Sequence, residues 1–343
     1  VYLFRLPFSE KRVGKNWEVL RMFELEIIRT AEKLAREVME VKESDEVLVI
    51  TDVAKMTVGN AFAIACRAIG AETVMALMPL TGEHGNEPPA TIAAAMKAAD
   101  VIFAPTTHSI THTRARLEAF KAGARTAILR GVDEDMMIKG AMVVDFQELR
   151  GRTEKVAKVL SEADEIRVTS PGGTDVVFKI TGRKAFSLDG YFHEDYGFAV
   201  LPPGEAPTCP VEGTTNGTIV FDYSMDSLGK LSRPLVLKVE GGRVASVKGG
   251  SEEVHALEQL FERDETARNI AEFSIGTNPN ARLIGNLAED KKLLGTVHFA
   301  IGDNKSLGGD VESSVHLDGL MLKPTVIADK VVLVENGGIL IDE

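Results

Sequence analysis

Between residues 46 and 129 the chain alternates short apolar runs with helix-length amphipathic stretches, and few architectures accept that rhythm. Val47–Ile50, Val74–Met78, Val101–Ala104 and Arg125–Leu129 read as strands. Between them, Val58–Ile69, a stretch from Pro89 through Ala98, and His112–Ala122 read as helices, with Pro89 suited to a first helical turn. Strands interleaved with helices of this size predict a parallel sheet covered on both faces. An amphipathic stretch precedes them, Glu18–Val41, with Leu20, Phe23, Leu25, Ile28, Ala31, Leu34 and Val38 as its apolar stripe. Residues 1–158 are therefore assigned to an open α/β domain, with Phe146–Lys158 as its last helix or the connector.

From Glu165 the pattern changes to short alternating or apolar runs broken by Pro, Gly and Asp. Glu165–Thr169, Asp175–Ile180, Lys184–Leu188, Gly217–Asp222, Leu235–Glu240, Arg243–Lys248, Val326–Ala328 and Val331–Val334 predict mainly antiparallel strands, interrupted by one helix over Glu252–Ile270. The fold class is α/β, with an N-terminal open α/β domain and a C-terminal mixed α+β metal-binding domain over residues 159–343. At 343 residues, two cores are the ordinary arrangement.

A net charge of −12 argues against a nucleic-acid partner. No run approaches the roughly 18 apolar residues of a membrane span. Cys66 and Cys209 suggest neither a disulfide framework nor a cysteine metal site, and cytoplasmic residence is expected.

The chemistry concentrates in GTVHFAIGDNKSLGGDVESSVHLD, Gly295–Asp318. Residues two apart on a strand share a face, so His316 and Asp318 can converge on one ion, and the glycine-rich turn Gly302–Gly309 can bring His298 to them. Alternation sets His298 and Ala300 opposite Val297, Phe299 and Ile301. A core histidine bonded to a carbonyl is the plain alternative for His298. Glu272 lies among Ile270, Phe273 and Ile275, where a carboxylate either faces water or needs a partner. The proline-rich Leu201–Asn216 can present Glu205 or Glu212 inward. Glu205 and Glu272 would supply acidic ligands for a second ion, or one of them could activate water. Across a cleft, His108 and Arg114 in Thr107–Arg116 are candidate substrate contacts, as are His112 and Arg116, with a solvated helix start as the plain alternative and the preferred one for His112. Walker, dinucleotide, His-Glu-X-X-His and serine-elbow signatures are absent.

Four segments in order, PPGEAPTCPVEGTTNG, AEFSIGTNPNARLIGN, LGTVHFAIGDNKSLGG and VHLDGLM, resemble the thermophilic metalloaminopeptidase family, aminopeptidase T-like and leucyl aminopeptidase-like. The resemblance implies a homodimeric aminopeptidase that removes N-terminal residues from small peptides through water activated by two divalent ions, zinc, cobalt or manganese. It implies Glu205, Glu272, His298, His316 and Asp318 as metal ligands, with Glu205 or Glu272 as general base. Where those peptidases carry a tyrosine, this chain has Lys305, which could bind an acidic substrate group. The superfamily is also similar to dihydroxypyridine ring-opening dioxygenases, which implies a single iron(II) as the alternative cofactor and a small aromatic as the alternative substrate. A non-catalytic binding protein is a third reading.

Overall fold

The computed structural model describes residues 23–340, so the expected helix over Glu18–Val41 lies partly outside the described residues. Residues 23–33 are α-helical, and the helix widens into π turns over Leu34–Val38. Its buried side is Ile27, Ala31, Leu34, Ala35 and Val38, whereas Phe23 and Leu25 of the expected stripe are exposed.

The alternating region builds the expected parallel sheet, in the spatial order Glu72–Leu77, Glu46–Thr51, Val101–Ala104, Arg125–Ile128 and Ala199–Val200. Val47–Ile50 and Val101–Ala104 are buried throughout, as strands covered on both faces should be. Glu72–Leu77 is an edge strand and leaves Val74 and Leu77 largely open. The last strand is contributed by a much later segment: Ala127 and Ile128 pair with Ala199 and Val200.

The remainder is antiparallel and forms two sheets. One runs in the order Gly229–Lys230, Ser224–Met225, His316–Met321, Val297–Gly302, Ile270–Gly276 and Glu205–Thr208. The other has eight strands, with Asp175–Lys179 and Glu165–Thr169 near its middle. The two sheets share one apolar core, where the rings of Phe178, Phe273 and Phe299 lie 5.1, 5.5 and 5.3 Å apart pairwise.

Two local expectations change. Lys184–Leu188 makes only a bridge, Leu188 to Glu205, and no strand. The expected long helix over Glu252–Ile270 ends at Arg263, because Asp264 turns out of helical conformation and accepts a hydrogen bond from Thr266 N to cap a new 3-10 turn. Ile270 is thereby free to begin the strand that carries Glu272.

Buried polar contacts bind the α/β region to the six-stranded sheet. Asn278 Nδ2 donates to Ala141 O and Pro203 O, Thr153 and Thr277 share a hydroxyl bond of 2.7 Å, and Glu289 Oε1 accepts from Ala141 N. The architecture is thus α/β with a mixed α+β region, and that region carries a buried cluster of ionisable side chains.

Candidate metal centre

Strand alternation builds the centre. Phe273, Ile275, Val297, Phe299 and Ile301 point into the apolar core, so Glu272, His298 and Ala300 must point out of the opposite face. Register aligns them: Glu272 is opposite Ala300, and Ala300 is opposite Asp318. The small Ala300 side chain forms the floor between two carboxylates one strand away on either side, about 4.8 Å each. His298 and His316 stand on that same face, opposite Leu320 and Gly302 respectively.

Ligand atoms of Glu272, His298 and Asp318 come within 4.8 Å of one another. His298 Nε2 is 3.0 Å from Glu272 Oε1, and His316 Nε2 is 2.9 Å from Glu272 Oε2 and 3.2 Å from Asp318 Oδ1. His316 Nδ1 donates to the Asp303 carbonyl at 2.7 Å, since a carbonyl can only accept, so Nε2 is the nitrogen that faces the cluster. Imidazole and carboxylate donors gathered in this way suit a non-haem iron or similar divalent ion. Two buried atoms of the set make no hydrogen bond, His298 Nδ1 and Asp318 Oδ1.

Glu205 arrives at the same place. Gly204, at φ +110° and with Asn278 where a Cβ would stand, turns the chain so that Glu205 enters the sheet opposite Gly276. Its surroundings are cationic: Lys292 Nζ bonds Oε1, and Lys291 Nζ lies 3.4 Å from Oε2 while donating to Asp318 Oδ2 at 2.7 Å. Both lysines follow the short helix Leu287–Asp290, held by its Asn286 cap.

Burial opposes charge throughout this cluster, and specific partners overcome it. The imidazoles of His298 and His316 hold the Glu272 carboxyl well below the usual range, and Lys291 with His316 does the same for Asp318. Asp318 and Glu272 raise His316, and Asp318 with Glu205 raises Lys291. Lys292 goes the other way: burial outweighs Glu205, and the ammonium is lowered to about 8.

The α/β region closes one side. Arg130 Nη1 lies 3.0 Å from Asp226 Oδ1 and 3.2 Å from His84 Nε2, and Asp226 accepts from the backbone of Asp318.

Of the other expected site residues, Lys305 is exposed and paired with Glu312 at 2.9 Å, well outside the cluster's contacts. Arg114 is exposed at the start of its helix, where Glu87 accepts from its backbone. His108 packs its ring edge-on against His84, 5.5 Å between centroids, which relates it to the Arg130 side. Arg116 serves structure, donating to Thr111 O and lying over the Phe198 ring. Glu212 anchors the glycine-rich turn, accepting from Asn304 Nδ2 and Asp310 N. Lys291, Lys292, Arg130 and Asp226 are the centre's residues that local sequence does not single out. The pair of adjacent lysines was the only available signal, and a solvated charge run looks the same.

The expectation of two divalent ions is corrected here. Glu272, His298 and Asp318 form the single group of converging ligands among the described residues. Glu205, needed for a second ion, is already neutralised by two ammonium groups. Three carboxylates against two lysines leave one negative charge, which suits one dication; Lys291 and Lys292 already take the Glu205 oxygens that a second would need.

The family profile described as NicX, 2,5-dihydroxypyridine 5,6-dioxygenase, matches residues 31–341. No curated protein sequence matches the chain. A solved 2,5-dihydroxypyridine dioxygenase from Pseudomonas putida KT2440 superposes with a TM-score of 0.78 at 19% identity, over 93% of this chain and 98% of that one. Wild-type AmpT from Thermus thermophilus gives 0.67 at 16% identity, over 93% and 100%. At these identities both likenesses speak to fold. The profile match overturns the aminopeptidase T-like assignment, and with it the metalloprotease activity.

Proposed function

This chain belongs to the NicX family, 2,5-dihydroxypyridine 5,6-dioxygenase, and we propose from that premise that it is a non-haem iron(II) oxygenase opening the ring of a small dihydroxylated aromatic. The observation that carries the proposal is the convergence of Glu272, His298 and Asp318, with His316 beside them, in a space whose charge suits one ion. These residues would hold the iron, and bound there it would bring dioxygen and the ring hydroxyls together and supply one-electron chemistry.

The chain's own groups do the rest. The Asp303 carbonyl keeps His316 Nε2 turned inward, and Ala300 keeps the floor clear for a flat ring. The buried ammonium of Lys291, raised in pKa and thus charged, favours an ionised ring hydroxyl over a neutral one. Phe273 and Phe299 pack behind the sheet, on the face opposite the donors, and support the strands that carry them. No helix among the described residues is long and apolar enough to cross a membrane, and a small-molecule substrate is the partner this site fits.

The test is anaerobic loading with iron(II), followed by oxygen uptake with 2,5-dihydroxypyridine and a panel of catechols and hydroquinones. Ring opening appears as loss of aromatic absorbance matched to oxygen consumed. Iron-loaded protein that consumes no oxygen with any of them refutes the oxygenase reading.

A further inference from the structure

We infer that Lys291 takes the place of a second cation, and that its Nζ is what limits this centre to one metal ion. The inference rests on the one-ion reading of Glu272, His298 and Asp318. Lys291 Nζ is 2.7 Å from Asp318 Oδ2 and 3.4 Å from Glu205 Oε2, so it bridges one carboxylate of the ligand group and one outside it. Bridging two carboxylates beside an occupied site is the position of the second ion in two-metal centres, where the ions stand about 3.5–4 Å apart.

The donors around that position are those of a metal site. Glu205 and Asp318 are 2% and 3% exposed, and Glu205 Oε2, the oxygen that faces Lys291, accepts no hydrogen bond. Lys292 bonds Glu205 Oε1, and Lys291 is the cation that reaches both Glu205 and Asp318. Exchanging it for glutamate removes one positive charge, adds one negative charge, and leaves three carboxylates around the vacated position.

The experiment is a manganese(II) titration of the full chain, with bound ions counted by native mass spectrometry and coupling read by electron paramagnetic resonance. Wild type and Lys291→Arg should each bind one ion. Lys291→Glu should bind two and show the multiline spectrum of a coupled pair, and Lys291→Met should take a second ion more weakly. A folded Lys291→Glu that binds one ion overturns the inference and leaves the one-metal reading intact. If Lys291→Glu does not fold, Lys291→Met decides by the same count. Wild type binding two ions overturns the inference, and wild type binding none overturns it together with the one-metal reading.

Discussion

Lys292→Met should be among the most destabilising single substitutions in the molecule, although it replaces a charged side chain with an apolar one of similar length. The Lys292 and Glu205 side chains are 2% and 3% exposed and bonded to each other, so the substitution strands a carboxylate in the interior. Removing one partner of a buried pair typically costs 3–5 kcal/mol. Lys291 stays 3.4 Å from the other Glu205 oxygen and keeps part of the compensation, which places the cost at the low end, about 3 kcal/mol. Adding Glu205→Gln removes the stranded charge, so the double variant should recover about 2 kcal/mol of that loss. The assay is urea unfolding of wild type, both single variants and the double variant, all metal-free so that ion binding does not contribute to apparent stability. A cost below about 1 kcal/mol for Lys292→Met, or a coupling energy near zero, would refute the reasoning.

Three further outcomes follow from the geometry. Asp264 Oδ2 accepts from Ser313 Oγ, Ser314 N and Ser314 Oγ, and Ser314 and Thr266 hold its carboxyl below the ordinary value of 3.8. The stability it supplies is therefore present above pH 3.8 and lost as pH falls further; Asp264→Asn should cost about 2 kcal/mol at pH 7 by chemical denaturation, with a gap that closes in acid. Ala300→Leu places a branched side chain between Glu272 and Asp318 and should abolish manganese(II) binding in calorimetry while far-ultraviolet circular dichroism is unchanged. Burial pushes the Cys66 thiol up to about 12 and the Cys209 thiol up to about 11, so at pH 8 neither should react with iodoacetamide until urea unfolds the chain, as mass spectrometry will show.

Much of the fold is legible because it is written in local periods. Apolar runs alternating with amphipathic helices specify a parallel sheet wherever they occur, and the chain builds it with nearly the expected strands. Ala199–Val200 escapes notice because two residues carry no period, and their place beside Arg125–Ile128 depends on the intervening chain returning. The helix after Glu252 is overread for a related reason: side-chain patterning continues past Arg263, while the hydrogen bond from Thr266 to Asp264 ends the helix. Lys305 illustrates the limit of motif position, since its ammonium turns to Glu312 on the surface.

Sequence by itself determined that His298 and Ala300 face away from Val297, Phe299 and Ile301 and that His316 and Asp318 share a face, because a strand's side chains alternate whatever surrounds it. Tertiary structure alone decided how many ions that face suits. The count follows from the charge gathered in one buried volume, where Lys291 and Lys292 meet a Glu205 that lies far from both in the chain. Coulomb energy depends on distance in space, so nothing local to either residue announces that the acidic ligand expected for a second metal is already matched by two lysines.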